Sequence, residues 1–276
     1  MIENVAREIL VKTKRRIFSP NLGNNATAFV GNGLDFSELR EYHFGDDVRK
    51  INWKATAKSG QPYINLFNEE RELNVIVSFM LGGSIYFGSK RIKQELMSEV
   101  LALLGYSVMK NSDRLSTLFF SKHEEGYYKP TKNVAALHEL IPTALSFDVL
   151  EKEVNYEAFN NYVLSRFKQK SILFIIGDFF EEVDFSLLAA KHEIYAVIVR
   201  DHFEESPQLS GALSLVEPSS MMQSALEFDS TMLARFEEEI AKKDAILYAH
   251  FKAHNIRYTK IYTDEDPYFK LNQLVR

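Results

Sequence analysis

The residues most able to do chemistry stand in a few short stretches. In "GDDVRKINW", residues 45–53, Asp46 and Asp47 adjoin each other after Gly45, with Arg49 and the sole tryptophan, Trp53, close behind. Paired carboxylates suit general acid–base work, but the acid of such a pair needs its carboxyl raised by apolar burial. Carboxylates at a helix start beside an arginine are held ionised instead. The spacing predicts a helix capped by Asp46 and running to Ser59, with Lys58 in its last turn and Gly60 as its stop. The stretch reads as a charged structural joint, with Trp53 anchoring it against another element.

"GGSIY", residues 82–86, approaches the strand–turn–helix elbow Gly-x-Ser-x-Gly, with Ser84 as its serine. It lacks the last glycine, and no downstream histidine is placed as a base. His250 and His254 lie four apart, as zinc ligands on one helix face do, but without a glutamate in the zincin arrangement or a third ligand. "GNGLDF", residues 31–36, is too short and too far from a βαβ unit to signal a dinucleotide, and no phosphate-binding Walker A sequence is present. "FEEEIAKKD", residues 236–244, reads as a solvated helix face. No catalytic set is complete.

The bulk composition narrows the classes. A chain of 276 residues, 46% hydrophobic and 26% charged, is ordinary globular protein with a core that needs no covalent staples. The absence of cysteine excludes disulfides, thiolate metal sites and a cysteine nucleophile, and fits a reducing compartment. A net charge of −5 gives no global field for nucleic acid. No run reaches the ~18 apolar residues of a membrane span, and no signal peptide is seen. The expectation is a soluble, cytoplasmic protein. Residues 1–20 carry Arg7, Lys12, Lys14, Arg15 and Arg16 with Ile2, Val5, Ile9 and Leu10 at helical spacing, a basic amphipathic helix expected to dock on its own domain.

Elements that would position these residues begin near residue 71. Apolar runs at 73–81, 114–121, 171–178, 193–200 and 257–263 read as strands, with a short edge at 126–129. Helical periodicity covers 89–110, 133–145 (ended or bent at Pro142), 156–167, 184–191 and 231–255, the last capped by Asp229 or Ser230. A hairpin is expected over 211–229 and a terminal helix from Asp266-Pro267. Such alternation implies an α/β fold with a mostly parallel central sheet covered on both faces. Ligands in such sheets sit beyond the carboxyl ends of the strands, which singles out "MLGGS" (80–84) and "GDFFEE" (177–182). Residues 1–70 read as an appended N-terminal element and 71–276 as the domain proper.

The segment "GNGLDFSELREYHFGDDVRKINWKATAKSGQPYINLFNEERELNVIVSFMLGGSIYFG", residues 31–88, resembles a bacterial family known as domain of unknown function number 58, whose fold is like the von Willebrand factor A domain. Its Gly-x-Gly-x-x-Phe pattern falls here on residues 31–36, and its Arg-Glu-Tyr and Gly-Asp-Asp-x-Arg-x-Ile-x-Trp patterns fall on Arg40, Tyr42, Gly45, Asp46, Asp47, Arg49 and Trp53. "GDFFEE", "VRDHFEE" (199–205) and "TDEDP" (263–267) extend the likeness. The resemblance implies a von Willebrand A-like sheet and a partner, an AAA+ ATPase of the MoxR type, for which such proteins act as adaptors. Many relatives carry membrane-spanning helices upstream; none is expected in this chain.

The same resemblance implies a metal-ion-dependent adhesion site and a departure from it. Von Willebrand A folds hold a divalent ion with Asp-x-Ser-x-Ser after the first strand, a threonine in a second loop and an aspartate after the central strand. Here Met80 stands at the aspartate, Gly82 at the first serine, and only Ser84 matches; Asp178 matches the later aspartate, and Thr131 is the candidate threonine. Mg²⁺ demands hard oxygen ligands, which a thioether does not supply. The expectation is a degenerate site without Mg²⁺ or other cofactor, Ser84 and Asp178 being the residual metal candidates. The function expected is non-enzymatic protein–protein interaction; the alternative is a metal-dependent ligand binder or hydrolase using Ser84 and Asp178.

Overall fold

The computed structural model of the protein describes residues 2–18, 36–67, 72–207, 211–216 and 218–275. Its elements run α1 (Ile2–Phe18), β1 (Phe36–Glu41), α2 (Trp53–Ser59), β2 (Tyr63–Phe67), β3 (Asn74–Met80), α3 (Lys93–Lys110), β4 (Arg114–Phe120), β5 (Glu124–Thr131), α4 (Leu137–Ser146) and α5 (Tyr156–Arg166). There follow β6 (Ile172–Gly177), α6 (Ser186–Lys191), β7 (Glu193–Arg200), α7 (His202–Glu205), β8 (Gly211–Val216), β9 (Gln223–Phe228), α8 (Ser230–Ala253), β10 (Arg257–Tyr262) and α9 (Pro267–Val275). They divide into two compact units: β1, α2 and β2 form the small one, and α1 with everything from β3 onward forms the large one.

In the large unit a six-stranded sheet has the order β10-β7-β6-β3-β4-β5. Its first five strands are parallel, and β5 alone runs antiparallel, on β4. Helical crossovers force that parallelism, and helices cover both faces, so β3 is buried from Val75 to Met80, interrupted in its apolar run by Ser78 alone, and β6 is apolar throughout. On one face Ile76, Leu118, Leu173, Ile175, Ala196 and Ile198 pack with Phe159 and Val163 of α5, Leu188 of α6, and Leu247 and Phe251 of α8. The intervening strand residues face α3, which is buried along almost its whole length because the sheet, α1, α4 and α9 all pack on it. Pro142 lies inside α4 without ending it; the helix continues to Ser146.

The basic N-terminal helix docks on its own domain. Ala6, Ile9, Leu10, Thr13 and Ile17 of α1 are buried, and the helix packs on α3 and α4. Lys12 pairs with Glu99 at 2.6 Å, Lys110 donates to the Ile17 carbonyl at 2.9 Å, and Arg16 meets Asp266 at 2.5 Å. The sequence division at residue 70 is therefore displaced: α1 belongs with the large unit, because its apolar stripe is what covers the outer side of α3.

Within the small unit β1 and β2 form an antiparallel ribbon. The helix expected from Asp46 to Ser59 is broken in two. Asp46 caps nothing, because Arg40 grips its carboxylate at 2.9 and 3.0 Å and the His43 N–H donates to it at 2.8 Å. Gly45, at φ +105°, makes that tight return possible. Asp47 caps a single 3-10 turn, Val48–Lys50, by accepting from the Arg49 N–H. The chain then extends at Ile51, which bridges to Ile64. The true cap of α2 is Asn52, which accepts from the Ala55 N–H at 3.0 Å, and Gly60 ends the helix in the left-handed conformation as expected. Trp53 is the first residue of α2 and is 71% exposed rather than an anchor.

Candidate functional site: a charged centre at the carboxyl edge of the sheet

The carboxyl ends of β3, β6 and β7 converge on the amino end of α3. Met80 closes β3 with its side chain in the apolar cluster, against Gly177. Gly82 and Gly83 then turn the chain into one 3-10 turn, Gly83–Tyr86, held by the Gly83 N–H donating to the Lys152 carbonyl at 2.7 Å. Gly83 also touches the connection between β8 and β9: a Cβ there would lie 2.6 Å from the Pro218 backbone. The turn brings the Ser84 hydroxyl close enough to the Asp178 carboxylate to help hold it ionised. Ser84 and Asp178, the two residual positions that the resemblance named, thus lie near each other. Thr131 does not join them. It pairs with Leu115 at the amino end of β4, because β5 runs antiparallel and carries its last residue to the opposite end of the sheet.

A lysine takes up the space between the carboxylates. Lys93, the first residue of α3, has 0% exposure, and its Nζ donates to Asp178 Oδ2 at 3.0 Å and to Glu204 Oε1 at 2.7 Å. A cation at a helix N-terminus meets the wrong end of the helix dipole, so these two carboxylates are what make the position tenable. Glu204 itself is fixed by a capping box at the start of α7, where Asp201 accepts from the Phe203 N–H and Glu204 accepts from the Asp201 N–H. Asp201 also accepts from the N–H and the hydroxyl of Ser89, both at 2.8 Å, and from the Thr263 hydroxyl.

Beside Lys93 lies a second buried cation. Arg200, the last residue of β7, donates through Nε to the Asp178 carbonyl at 2.6 Å and through a terminal nitrogen to Asp244 Oδ1 at 3.2 Å. Asp244 of α8 accepts in turn from Lys260 at 2.6 Å and Tyr248 at 3.1 Å, while Lys260 and Tyr262 both donate to Glu205 at 2.7 Å. Phe179 adopts φ 53°, a left-handed conformation costly for a bulky residue. That turn sends Phe179 down into the core and lays the Phe180 ring over both cations, 3.7 Å from the Arg200 guanidinium carbon and 5.1 Å from the Lys93 nitrogen.

The electrostatics follow from this crowding. Burial alone would push the Asp178 carboxyl up, but Lys93, the Ser84 hydroxyl and Arg200 outweigh it and hold it below the usual range. Burial raises the Glu204 carboxyl in spite of Lys93. Glu181, three residues after Asp178, is exposed over the residue as a whole, yet its carboxyl is pushed up to about 7 by the dense protein around it and by the Asp178 charge.

The donor set does not fit a divalent ion. Met80 brings no oxygen and is turned into the core, Gly82 has no side chain, and an ammonium already bonds Asp178 and Glu204 at hydrogen-bond distances. Mg²⁺ would need oxygens at ~2.1 Å in near-octahedral geometry. Among the described residues no group of three or more His, Cys, Asp and Glu is arranged to hold a metal. The His250 and His254 rings lie 4.7 Å apart, tilted by 50°, and His250 Nε2 accepts from the Phe185 N–H at 2.9 Å. The family-motif residues Arg40, Tyr42, Gly45, Asp46, Asp47, Arg49 and Trp53 all lie in the small unit.

Sequence reasoning missed Lys93, Arg200, Glu204, Asp244 and Lys260. One signal was available for the first: Lys93 heads the stripe that continues through Met97, Val100 and Leu104, so a lysine stands in a buried register. Arg200 similarly ends a strand of seven successive buried residues. The partners of both come from loops and helices far along the chain, which no local pattern links.

Uncharacterized proteins of Mycobacterium bovis and Mycobacterium tuberculosis are 23% identical to the chain over 202 residues, covering 71% of it and 64% of their own length. The chain thus spans somewhat under two thirds of these relatives. Among solved structures it is similar to the conserved hypothetical protein BatB from Bacteroides thetaiotaomicron (12% identity, TM-score 0.45, covering 74% of this chain and 97% of that one). It is also similar to an aerotolerance-related membrane protein from Bacteroides fragilis (10% identity, TM-score 0.43, covering 74% and 98%). Among the described residues no helix is long and apolar enough to cross a membrane. By the match of residues 38–246, the chain belongs to the family described as Protein of unknown function DUF58.

Proposed function

We propose that the protein is a non-enzymatic interaction module with a von Willebrand A-like sheet, and that the carboxyl edge of this sheet docks a partner protein. The family resemblance points to an AAA+ ATPase of the MoxR type as that partner, and to a degenerate adhesion site as the origin of the charged centre. One observation carries the reading: protein groups engage both cations of the centre, while exposed apolar side chains stand on the adjoining loops. Lys93, and Arg200 through Nε and one terminal nitrogen, bond protein carboxylates and carbonyls, while the other terminal nitrogen of Arg200 is buried with no hydrogen-bond partner among the described residues, 3.9 Å from Glu205. At the end of the Gly83–Tyr86 turn Tyr86 is 54% exposed, and Met222, beyond the Pro218 segment that touches Gly83, is 64% exposed. Exposed aromatic and methionine side chains beside a rigid scaffold suit an adaptable protein contact.

A hydrolase or metal-dependent binder built on Ser84 and Asp178 is favoured by one feature, the near-neutral titration of Glu181 close by. Against it, Asp178 is the base beside Ser84, and it is held below the usual carboxylate range and bonded by Lys93, which makes it too weak to take the hydroxyl proton. The deciding experiment titrates the purified protein against a MoxR-type ATPase loaded with ATP. Binding that Tyr86→Asp with Met222→Asp abolishes, without lowering the melting temperature, supports the adaptor; no binding by the unaltered chain refutes that partner.

A further inference from the structure

We propose that the Lys93 ammonium is the resident cation of this centre, an internal group doing what a divalent ion does in a metal-dependent adhesion site. The inference deepens the adaptor reading and rests on it only for its biological use: docking at this edge would need no divalent ion.

The geometry points to substitution rather than coincidence. The ammonium sits on the carboxylate that follows the central strand, within reach of the serine loop that follows β3, at the place where the sheet's carboxyl edge gathers charge. It reaches two carboxylates from different crossovers, Asp178 after β6 and Glu204 after β7, and so ties three segments of the edge together as a bridging ion would. Its stem comes from the first turn of α3, buried on every side, which holds it there permanently. Phe180 covers it, and the Met80 and Gly82 positions, which a metal would require as oxygen donors, contribute none. An ammonium needs only hydrogen-bond acceptors at 2.7–3.0 Å, and those are what the site supplies.

The test needs no partner, so its failure is separable from failure of the adaptor reading. Mn²⁺ binding is measured by electron paramagnetic resonance, and melting temperature with millimolar Mn²⁺ or with chelator, for the full chain, Asp178→Asn, Lys93→Ala and Lys93→Ala with Asp178→Asn. The unaltered chain should bind no Mn²⁺ at this site and melt alike in both media. Lys93→Ala leaves Asp178, Glu204 and Ser84 around a vacated space; it should melt lower and gain a Mn²⁺-dependent upward shift that the double variant lacks. If Lys93→Ala does not fold in chelator but folds when Mn²⁺ is supplied, the proposal is equally supported. Mn²⁺ binding by the unaltered chain that Asp178→Asn removes would overturn it, as would a Lys93→Ala protein as stable as the parent and blind to Mn²⁺. Should Lys93→Ala fold in neither medium, the unaltered chain against Asp178→Asn decides alone.

Discussion

The Lys93 nitrogen lies 3.0 Å from Oδ2 of Asp178, and both residues are buried, at 0% and 3% exposure. Such a pair gains little over an apolar one of the same shape, but half of it is costly, because the remaining charge has no solvent to retreat to. Lys93→Met should therefore destabilise by about 3–5 kcal/mol, read from urea unfolding. Lys93→Met combined with Asp178→Asn should recover part of that loss, since the second change removes the stranded charge. A loss under about 1 kcal/mol for the single variant would place it among ordinary surface pairs.

Gly83 touches the backbone of Pro218, the residue whose carbonyl also accepts from the Glu151 N–H at 2.9 Å. Backbone cannot rotate away as a side-chain tip can. Gly83→Ala should push the β8–β9 connection off the 3-10 turn and cost about 1–3 kcal/mol, as overpacking does. The check is limited proteolysis: cleavage around Met221 and Met222 should quicken in the variant, while Gly82→Ala, whose Cβ meets side chains alone, Val154 at 3.1 Å and Ser84 at 3.6 Å, should behave more mildly.

Much of the scaffold was legible because the evidence for it is local. Apolar runs such as 171–178 have one stable use in an α/β chain, and the long apolar period of α3 needs cover on all sides. The crossover rule then places Asp178 and the Ser84 loop at one edge, and the structure brings them together. What local pattern misjudged was competition. Asp46 has the right type and position for a helix cap, yet Arg40, six residues earlier on β1, bonds both its oxygens through one terminal nitrogen and wins. Thr131 was placed by type alone; strand direction, a property of the whole sheet, sends it to the far end. The Lys93–Asp178–Glu204 group joins residues 85 and 111 positions apart, a separation at which single-sequence patterns carry no information.

The rearranged joint yields its own test. If Asn52 is the cap of α2, Asn52→Ala should lose about 1 kcal/mol and speed amide exchange at Ala55. Asp46→Ala should leave exchange in α2 unchanged and instead release the 40–46 return, where Arg40 and the His43 N–H lose their acceptor. Faster exchange at Ala55 in Asp46→Ala would restore the single long helix.

Glu181 makes the pH dependence of stability run in a definite direction. Its carboxyl ordinarily titrates at 4.5 and is raised to about 7 in the folded chain by burial and the Asp178 charge. Between those values the folded state holds a proton that the unfolded state has lost, so stability falls as pH rises through the window. Glu204, raised as well, adds a slope of the same sign. Asp178 and Asp46, both lowered from 3.8, act oppositely, losing their contribution only as pH falls below the ordinary carboxylate range, outside the window. Melting temperature measured from pH 4.5 to 7 should therefore decline in the unaltered chain and decline less in Glu181→Gln, with the curves meeting at the acid end apart from a constant offset. Because Glu181 is exposed over much of its surface, salt should shrink the difference. Parallel curves for the two proteins would mean that neither burial nor the Asp178 charge raises the Glu181 carboxyl in the folded chain.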